Sequence, residues 1–440
     1  MLTDPEHISE AFAKFYKTLY INSGVSTCEN EIKTLLDQIN VKQLPDGAKE
    51  KLDMPITPRE LDDVILHLKN NKTPDPDGYV NEFYKTFKEL LSPLLLQAYD
   101  CMLKTKALAP SWRDAIIIVI HKEEKDPSEC GAYRPISILN GDLCLFTTIL
   151  SRRLNKYISE LIHLDQTRFI PGRYSGNNVC GLLNVMPCAA SQTYEAMVLS
   201  LDAEKAFDRV SWKYMFQTLV RFGFGKEFIT WIRILYSESR SAARVNGHLS
   251  ESFNLGRSTR QGCPLSPVLF VLCIEPFAQL IRDNGNISGI NGGEEEHKIS
   301  LYADDVLLYL SNLSCSIPAL IDTVKLFGYY SGYKINVNKT EAMDINRLIP
   351  YQYKDKSDFH WPAEGIKYLG IVITQTQEKL YNANYDKIIN KIKQDLGRWS
   401  SLPLSLLGQI ESIHMNDLPS LLYPFSDATY PCTKVNVLHT

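Results

Sequence analysis

The stretch Ile299-Ser-Leu-Tyr-Ala-Asp-Asp-Val-Leu-Leu-Tyr-Leu310 places two adjacent carboxylates, Asp304 and Asp305, between two short apolar runs. Both runs have the length and composition of buried β-strands, so Ala303-Asp304-Asp305 is predicted to be the turn of a hairpin. A third apolar run, 196–201, ends directly at another carboxylate, Asp202. The pattern therefore predicts a strand that ends in an acid and a hairpin that carries two more acids at its tip.

Three carboxylates at the ends of buried strands repel one another, which costs stability unless cations neutralise them. Mg²⁺ prefers oxygen ligands and leaves positions open for water and phosphate oxygens. Two such ions about 3.5–4 Å apart can activate a hydroxyl and stabilise a leaving pyrophosphate. Taken singly, the Asp-Asp pair also fits a solvated hairpin, and Asp202 also fits a helix cap. Together, the acids have the outline of a phosphoryl-transfer site.

The segments around these strands alternate between helical and strand-like patterns. Thr57-Pro58-Arg59-Glu60 is a capping box with proline at the first helical position, which predicts a helix start. Two further helices are predicted across 80–108 with a break at Ser92-Pro93, and one long helix across 143–161 with Arg152, Arg153 and Lys156 on its exposed face. Single strands are predicted at 115–120 and 366–374. This order of elements indicates an α+β fold with helices behind a sheet.

Composition sets wide limits on function. The 440 residues are 22% charged and 44% hydrophobic, as in ordinary globular proteins, and would form about three domain-sized units. No signal sequence or membrane-spanning run is visible, and the ten cysteines include no C-x-x-C pair. An intracellular protein of the cytoplasm or nucleus, without membrane contact, is therefore expected. The net charge of −4 decides little, because a near-neutral body can hold a basic groove opposite an acidic site.

Three motifs contain or lie between the acids. They are Leu201-Asp-Ala-Glu-Lys-Ala-Phe-Asp208, Thr259-Arg-Gln-Gly-Cys-Pro-Leu-Ser-Pro267 and Leu301-Tyr-Ala-Asp-Asp305. Around them stand Tyr133-Arg-Pro-Ile-Ser137, Ile162-His-Leu-Asp-Gln166, Phe169-Ile-Pro-Gly172, Ser331-Gly-Tyr-Lys-Ile-Asn-Val-Asn-Lys-Thr340 and Lys367-Tyr-Leu-Gly370. The Tyr-Ala-Asp-Asp tetrapeptide alone would arise by chance, whereas the ordered set would not. This set resembles the reverse transcriptases of LINE-type (non-LTR) retrotransposons over almost the whole chain.

The resemblance implies a right-hand polymerase with fingers, palm and partial thumb, in which helices back an antiparallel palm sheet. It implies a helical N-terminal extension over residues 1–108, a reverse transcriptase domain over 109–375 and a partial thumb-like segment over 376–440. The implied activity is RNA-directed DNA polymerisation, in which dNTPs extend a DNA primer on an RNA template. Two Mg²⁺ ions, with Mn²⁺ as a possible substitute, are the implied cofactors. No protein partner is indicated.

The resemblance also implies the site residues. Asp202 and Asp304 would bind both ions, and Asp305 would support them as a third catalytic acid. The implied nucleotide-binding residues are Lys122, Arg134, Ala203, Phe207, Gln261, Gly262 and Lys339. The Phe207 ring would clash with a 2′-hydroxyl and favour deoxynucleotides, although a buried core phenylalanine is an alternative. Gln261-Gly262 also fits a plain turn, and the lysines and the arginine also fit surface charges.

Some positions depart from the family pattern. Asp75, Arg168 and Ser258 stand where glycine is usual, and His121-Lys-Glu-Glu124 replaces a proline-flanked lysine. A truncated, inactive remnant that at most binds nucleic acid is therefore an alternative function. An RNA-dependent RNA polymerase is a further alternative, disfavoured because Phe207 stands where a ribose-tolerant site needs a small or polar residue.

Overall fold

The computed structural model describes residues 4–21, 28–122, 125–293 and 295–427. Its helices are α1 (Pro5–Tyr20), α2 (Glu29–Asp37), α3 (Ala48–Asp53), α4 (Pro58–Leu66), α5 (Asn81–Thr86), α6 (Lys88–Thr105), α7 (Pro110–Arg113), α8 (Gly141–Leu154), α9 (Ile158–Leu161), α10 (Ser175–Ala190), α11 (Ala206–Arg209), α12 (Trp212–Arg221), α13 (Lys226–Tyr236), α14 (Ser266–Asp283), α15 (Leu313–Ser331), α16 (Tyr351–Lys356), α17 (Gln377–Ser400), α18 (Leu406–Ser412) and α19 (Leu418–Asp427). Its strands are β1 (Asp114–His121), β2 (Tyr133–Ile138), β3 (Ala196–Leu201), β4 (Arg240–Val245), β5 (His248–Leu249), β6 (Phe253–Asn254), β7 (Ile290–Gly292), β8 (Glu295–His297), β9 (Ile299–Tyr302), β10 (Asp305–Ser311), β11 (Glu341–Asp344), β12 (Ile366–Tyr368) and β13 (Ile371–Ile373).

A four-stranded antiparallel sheet, in the order β11-β3-β10-β9, forms the centre of the molecule. Side chains alternate between its two faces, as the period of two along a strand requires. Met197 and Leu199 of β3 pack on one face into the largest core cluster, which includes residues of α14 and α15. Val198 packs on the other face against residues of α10, β12 and β13. The α+β fold with helices behind an antiparallel sheet is confirmed.

A second sheet joins β2, β1, β4 and β5 in that order, with β6 also paired to β4. Strands β1 and β4 run parallel, and β1 and β2 run antiparallel. Helix α1 covers this sheet, because Phe12 and Tyr16 share a core cluster with Ile117 and Ala243. The two sheets therefore have different helical layers, and α1 belongs to the second sheet.

In the described part of residues 1–108, every regular element is a helix. The capping box at Thr57 is confirmed, since its side chain accepts from the Glu60 amide and Glu60 accepts from the Thr57 amide. Helices α2 to α4 supply Ile32, Leu52 and Leu61 to the same core cluster as the central sheet. The boundaries at residues 108 and 375 stay predictions. Nowhere in the described ranges does a helix have both the length and the apolar character needed to cross a membrane.

The long helix predicted across 143–161 is wrong. Helix α8 ends at Leu154, and only the short α9 follows it. The exposed face assigned to Arg153 is also wrong, because this side chain is buried and its Nε donates to Glu60 Oε1 at 2.7 Å. Its terminal nitrogens donate to the carbonyls of Leu52 at 3.2 Å and Pro55 at 2.9 Å. A charged residue is buried here because partners from a distant segment satisfy its donors.

Two other predictions about local structure are wrong. Pro93 lies inside α6 and does not break it, and the break comes at Phe87, where φ is −102° and ψ is 20°. The single strand predicted at 366–374 is a hairpin of β12 and β13. Its turn requires positive φ, which Leu369 adopts at 47° and Gly370 at 80°. An apolar run with one glycine fits both a strand and a tight hairpin, which explains the error.

The positions where the family usually has glycine differ in their backbone. Neither Asp75 nor Arg168 has a positive φ, so their side chains impose no strain of this kind. Ser258 does, with φ 111°, and its buried hydroxyl has no hydrogen-bond partner among the described residues. Its backbone is fixed there because its amide donates to Val210 and its carbonyl accepts from the Trp212 indole.

Replacing Ser258 by glycine should stabilise the protein by about 1 kcal/mol or more, because glycine relieves the backbone strain and removes an unpaired hydroxyl. Urea unfolding of both proteins measures the difference. Ser258→Ala is the matched control, since it removes the hydroxyl but keeps the Cβ. A glycine variant no more stable than the alanine variant would rule out strain at this position.

Candidate active site

The three predicted acids lie where strand β3 ends and strand β10 begins, at the same end of the central sheet. Val306 of β10 pairs with Leu201 of β3, so the same register carried one residue further sets Asp202 opposite Asp305. Asp304 lies in the turn between β9 and β10, directly before Asp305. We call Asp202, Asp304 and Asp305 the acid cluster.

The carboxylates of the acid cluster affect one another. Burial and the charges of Asp304 and Asp202 together raise the pKa of Asp305 to about 6. Burial and Asp202 also raise the pKa of Asp304, whereas the nearby Lys122 and Arg134 oppose this increase. Asp202 and Asp305 still contact solvent. Carboxylates that repel one another and lose hydration gain most from a cation placed between them.

Gln166 holds the turn that carries Asp304. Its side chain is fully buried, and its Oε1 accepts from the Ala303 amide at 3.0 Å. Ala303 has φ 58°, so this hydrogen bond fixes a backbone shape that alanine rarely adopts. The neighbouring Thr167 amide donates to the Leu301 carbonyl at 3.1 Å, which ties the segment to β9. The sequence motif contained Gln166, but nothing in the pattern indicated this role.

Five basic residues, which we call the cation group, interact electrostatically with one another, and several of them also interact with the acid cluster. They are Lys122, Lys125, Arg134, Lys205 and Lys339. Lys122 follows β1, and burial together with Lys205 and Arg134 lowers its pKa, while Asp202 opposes this decrease. Burial, Lys122 and Lys339 likewise lower the pKa of Lys125, again opposed by Asp202. The group contains the three predicted cations, Lys122, Arg134 and Lys339. It also contains two lysines that the sequence did not predict.

The two missed lysines differ in what could have revealed them. Lys205 stands inside the motif that contains Asp202 and Phe207, so its place in the loop was a usable signal. Its backbone is left-handed with φ 51°, and its Nζ lies 3.5 Å from the Tyr133 carbonyl. Lys125 lies in no motif. Glu123 and Glu124 of the atypical His121-Lys-Glu-Glu124 segment lie outside the described residues.

Phe207 and Ala203 lie next to the acid cluster in the chain. The Phe207 ring stacks on Phe270 with centroids 4.0 Å apart and an interplanar angle of 16°, and it remains half-exposed. Ala203 forms a bridge with Ile335, and the Asp202 carbonyl accepts from the Asn336 amide at 2.8 Å. Phe169 meets the same ring edge to face with centroids 6.3 Å apart, so Phe207 is half-buried between aromatic neighbours and not fully enclosed.

Gln261 and Gly262 pack against β2. Gly262 has φ 113°, and a Cβ there would lie 2.2 Å from the Ser137 carbonyl oxygen. The Ser137 amide donates to the Gln261 carbonyl at 2.7 Å. Glycine is therefore required by the protein's own backbone contact. The Gln261 side chain is separate from this contact and donates from Nε2 to Asp208 Oδ2 at 3.3 Å.

The donor chemistry fits divalent cations. Throughout the described ranges, His, Cys, Asp and Glu side chains form no group of three or more arranged to hold an ion alone. Magnesium in phosphoryl-transfer sites uses one or two carboxylates, and the substrate phosphates and water complete its coordination. The acid cluster offers such oxygen ligands, and the cation group lies beside it. The arrangement can therefore accommodate metal ions together with a phosphate-bearing ligand.

Comparison with known proteins gives the family. Residues 120–373 match the family described as reverse transcriptase (RNA-dependent DNA polymerase). A 149 kDa uncharacterized protein of transposon TX1 from Xenopus laevis is 30% identical over 95% of this chain and 31% of its own length. The Pol polyprotein of the Drosophila melanogaster type-2 element R2DM is 25% identical over 76% of the chain and 30% of its own length.

A probable RNA-directed DNA polymerase from the Drosophila melanogaster transposon X-element is 24% identical over 77% of the chain and 37% of its own length. The chain thus spans about a third of the length of these relatives. The family match covers more than half of the chain and includes the acid cluster. The chain therefore belongs to the reverse transcriptase family, and its similarity to polymerases of non-LTR retrotransposons confirms the family predicted from its motifs.

Proposed function

We propose that this chain is an RNA-directed DNA polymerase domain that adds dNTPs to a DNA primer on an RNA template by two-metal catalysis. The main support is the register of β3 and β10, which brings Asp202 level with the Asp304-Asp305 turn. The cation group lies next to these acids, as a triphosphate-binding site requires. A solvated hairpin has no need of a second acidic strand end or a facing group of cations.

The family has a right-hand polymerase fold, to which we assign the parts of this chain. The four-stranded sheet that carries the acid cluster corresponds to the palm, and the sheet of β1, β2 and β4 corresponds to the fingers. Helices α17 to α19 correspond to a partial thumb, whose exposed lysines would contact the nucleic-acid backbone without reading sequence. Residues 428–440 of the predicted thumb-like segment lie outside the described residues.

Each site residue has a role in this proposal. Asp202 and Asp304 would hold the ions, with Asp305 as a supporting acid. When bound, the two ions would promote ionisation of the primer 3′-hydroxyl and neutralise the charge that develops on the phosphates. Arg134 and Lys122 would bind the triphosphate, and the forked guanidinium of Arg134 suits two phosphate oxygens. Lys339 would neutralise the departing pyrophosphate.

Incorporation of a single nucleotide tests the proposal. The purified chain is given an RNA template, an annealed DNA primer, Mg²⁺ and either the complementary dNTP or the matching NTP. The proposal predicts primer extension that requires Mg²⁺ and prefers the dNTP. Preference for the NTP would favour an RNA-dependent RNA polymerase. Salt-sensitive binding of the duplex without extension in Mg²⁺ or Mn²⁺ would favour an inactive remnant.

Phe207→Ala should reduce the preference for dNTP over NTP by about 10–200-fold, because the ring that meets the sugar position is lost. Steady-state incorporation of both nucleotides measures this ratio. Phe207→Tyr is the matched control, since it keeps an aromatic ring stacked on Phe270 and should keep the preference. Equal selectivity in the wild type and Phe207→Ala would exclude Phe207 as the group that selects deoxynucleotides.

A further inference from the structure

The C-terminal end of α1 reaches Asp208, in the motif that also contains Asp202 and Phe207. Tyr20, the last residue of α1, donates its hydroxyl to Asp208 Oδ1 at 3.1 Å. The other oxygen of the same carboxylate, Oδ2, accepts from Gln261 Nε2 at 3.3 Å. Tyr20 and Asp208 are buried, with exposed fractions of 3% and 1%. We propose that Tyr20 and Asp208 are positioning residues that set the orientation of the Gln261 side chain for nucleotide binding.

The geometry leaves the Gln261 amide one favourable orientation. A carboxylate only accepts, so the oxygen that faces Gln261 fixes the NH₂ group on that side and turns the carbonyl end away. The hydroxyl of Tyr20 holds the other carboxylate oxygen, which prevents Asp208 from rotating. Without that donor, Asp208 could turn and release the amide.

The charge states support these two hydrogen bonds. Burial raises the pKa of Asp208, and hydrogen bonds and nearby cations limit this increase to a value of about 6. Burial and Asp208 raise the pKa of Tyr20 well above its usual range, although Arg260 opposes this increase. At neutral pH the carboxyl is therefore ionised and accepts, and the phenol is protonated and donates.

The end of α1 is itself held in place by the chain that leads into the Gln261 motif. The Gly256 amide donates to the Tyr20 carbonyl at 3.0 Å, and Arg257 Nε donates to the Leu19 carbonyl at 2.7 Å. On the next turns of α1, the rings of Phe15 and Tyr16 lie 4.9 and 5.6 Å from Lys205 Nζ. Helix α1 thus contacts both motifs that form the nucleotide pocket, which makes it part of the site.

This inference rests on the proposed polymerase function and is tested with Tyr20→Phe. The variant keeps the packed ring and removes only the hydroxyl, so we expect the KM for dNTP to rise about tenfold with little change in kcat. Tyr194→Phe is the matched control, because the Tyr194 hydroxyl, in the segment before β3, makes no hydrogen bond within the described residues. It should leave the KM unchanged.

A Gln261→Ala background separates positioning from a general structural effect. If Tyr20 acts through Gln261, Tyr20→Phe should add nothing to the KM of Gln261→Ala. Asp208→Asn is a second variant. Its side chain has only one oxygen, so it cannot accept from the Tyr20 hydroxyl and the Gln261 amide on separate oxygens. The KM should therefore rise as in Tyr20→Phe. Equilibrium binding of dNTP to a complex with a chain-terminated primer gives the same comparison without catalysis.

An unchanged KM in Tyr20→Phe would overturn the inference. So would a rise in KM on Tyr20→Phe that is the same in the wild-type and Gln261→Ala backgrounds. The polymerase function would still stand in that case, since wild-type incorporation would be intact. A wild-type chain that neither incorporates nor binds dNTP would overturn both.

Discussion

Replacing Asp304 by asparagine should lower the rate of dNTP incorporation by about 10³-fold or more. In the proposed mechanism Asp304 binds both ions, so its loss would remove several kcal/mol of transition-state stabilisation, at about 1.4 kcal/mol for each factor of ten. Single-turnover primer extension measures the rate after the primer–template is bound. Affinity for the RNA–DNA duplex should stay close to that of the wild type, because the exposed lysines assigned to the nucleic-acid backbone are unchanged.

The same substitution should not destabilise the fold. Burial and Asp202 raise the pKa of Asp304, so its charged form is less favourable in the folded chain than in the unfolded one. At neutral pH, Asp304→Asn should therefore melt at the same temperature as the wild type or higher. Asp322→Asn, on the exposed surface of α15, is the control for loss of one carboxylate and should keep full activity. Undiminished incorporation by Asp304→Asn would refute the assigned mechanism.

Replacing Arg153 by methionine should lower the free energy of unfolding by about 3 kcal/mol or more. Methionine fills much of the volume but leaves Glu60 without its charged partner and the carbonyls of Leu52 and Pro55 without a donor. These contacts join α8 to α4, to the end of α3 and to the segment that follows α3. Urea unfolding at neutral pH measures the loss.

The neighbouring arginine provides the control. Arg152 pairs with Asp63 at the surface, so Arg152→Met should cost no more than about 1 kcal/mol. If Arg152→Met and Arg153→Met lost similar amounts of unfolding free energy, burial would not distinguish the two arginines.

The loss of stability at acid pH should also differ between the wild type and Arg153→Met. Burial alone would raise the pKa of Glu60, but hydrogen bonds from Arg153 and Thr57 lower it to about 2. A depressed folded-state pKa adds stability that is present above the unfolded value of about 4.5 and is lost as the pH falls towards 2. In Arg153→Met this part of the pH dependence should shrink.

Local sequence patterns predicted the elements that carry the chemistry. The apolar run that ends at Asp202 and the hairpin at Asp304 are both strands in the structure, because short β-rich segments with turn residues depend little on distant contacts. Asn246-Gly247 likewise forms the turn between β4 and β5, with φ values of 50° and 86°, as the preference of Asn-Gly for positive φ predicts. These features follow from backbone preferences of a few adjacent residues.

The parts that sequence could not predict depend on residues far apart in the chain. Gln166 supports Ala303, and Tyr20 reaches Asp208, but no local pattern connects these pairs. Arg153 was predicted to be exposed because its partner, Glu60, lies in a separate helix. Among the positions that lack the usual glycine, only a three-dimensional backbone distinguishes Ser258, which has a positive φ, from Asp75, which does not.

The proposed mechanism requires the acid cluster to bind two divalent ions together with a nucleotide. Electron paramagnetic resonance of Mn²⁺ counts the ions bound to the wild-type chain in complex with an RNA template, a chain-terminated DNA primer and the next dNTP. We expect two bound ions in the wild type, loss of at least one in Asp304→Asn, and two in Asp322→Asn. The same number of ions in the wild type and in Asp304→Asn would contradict it.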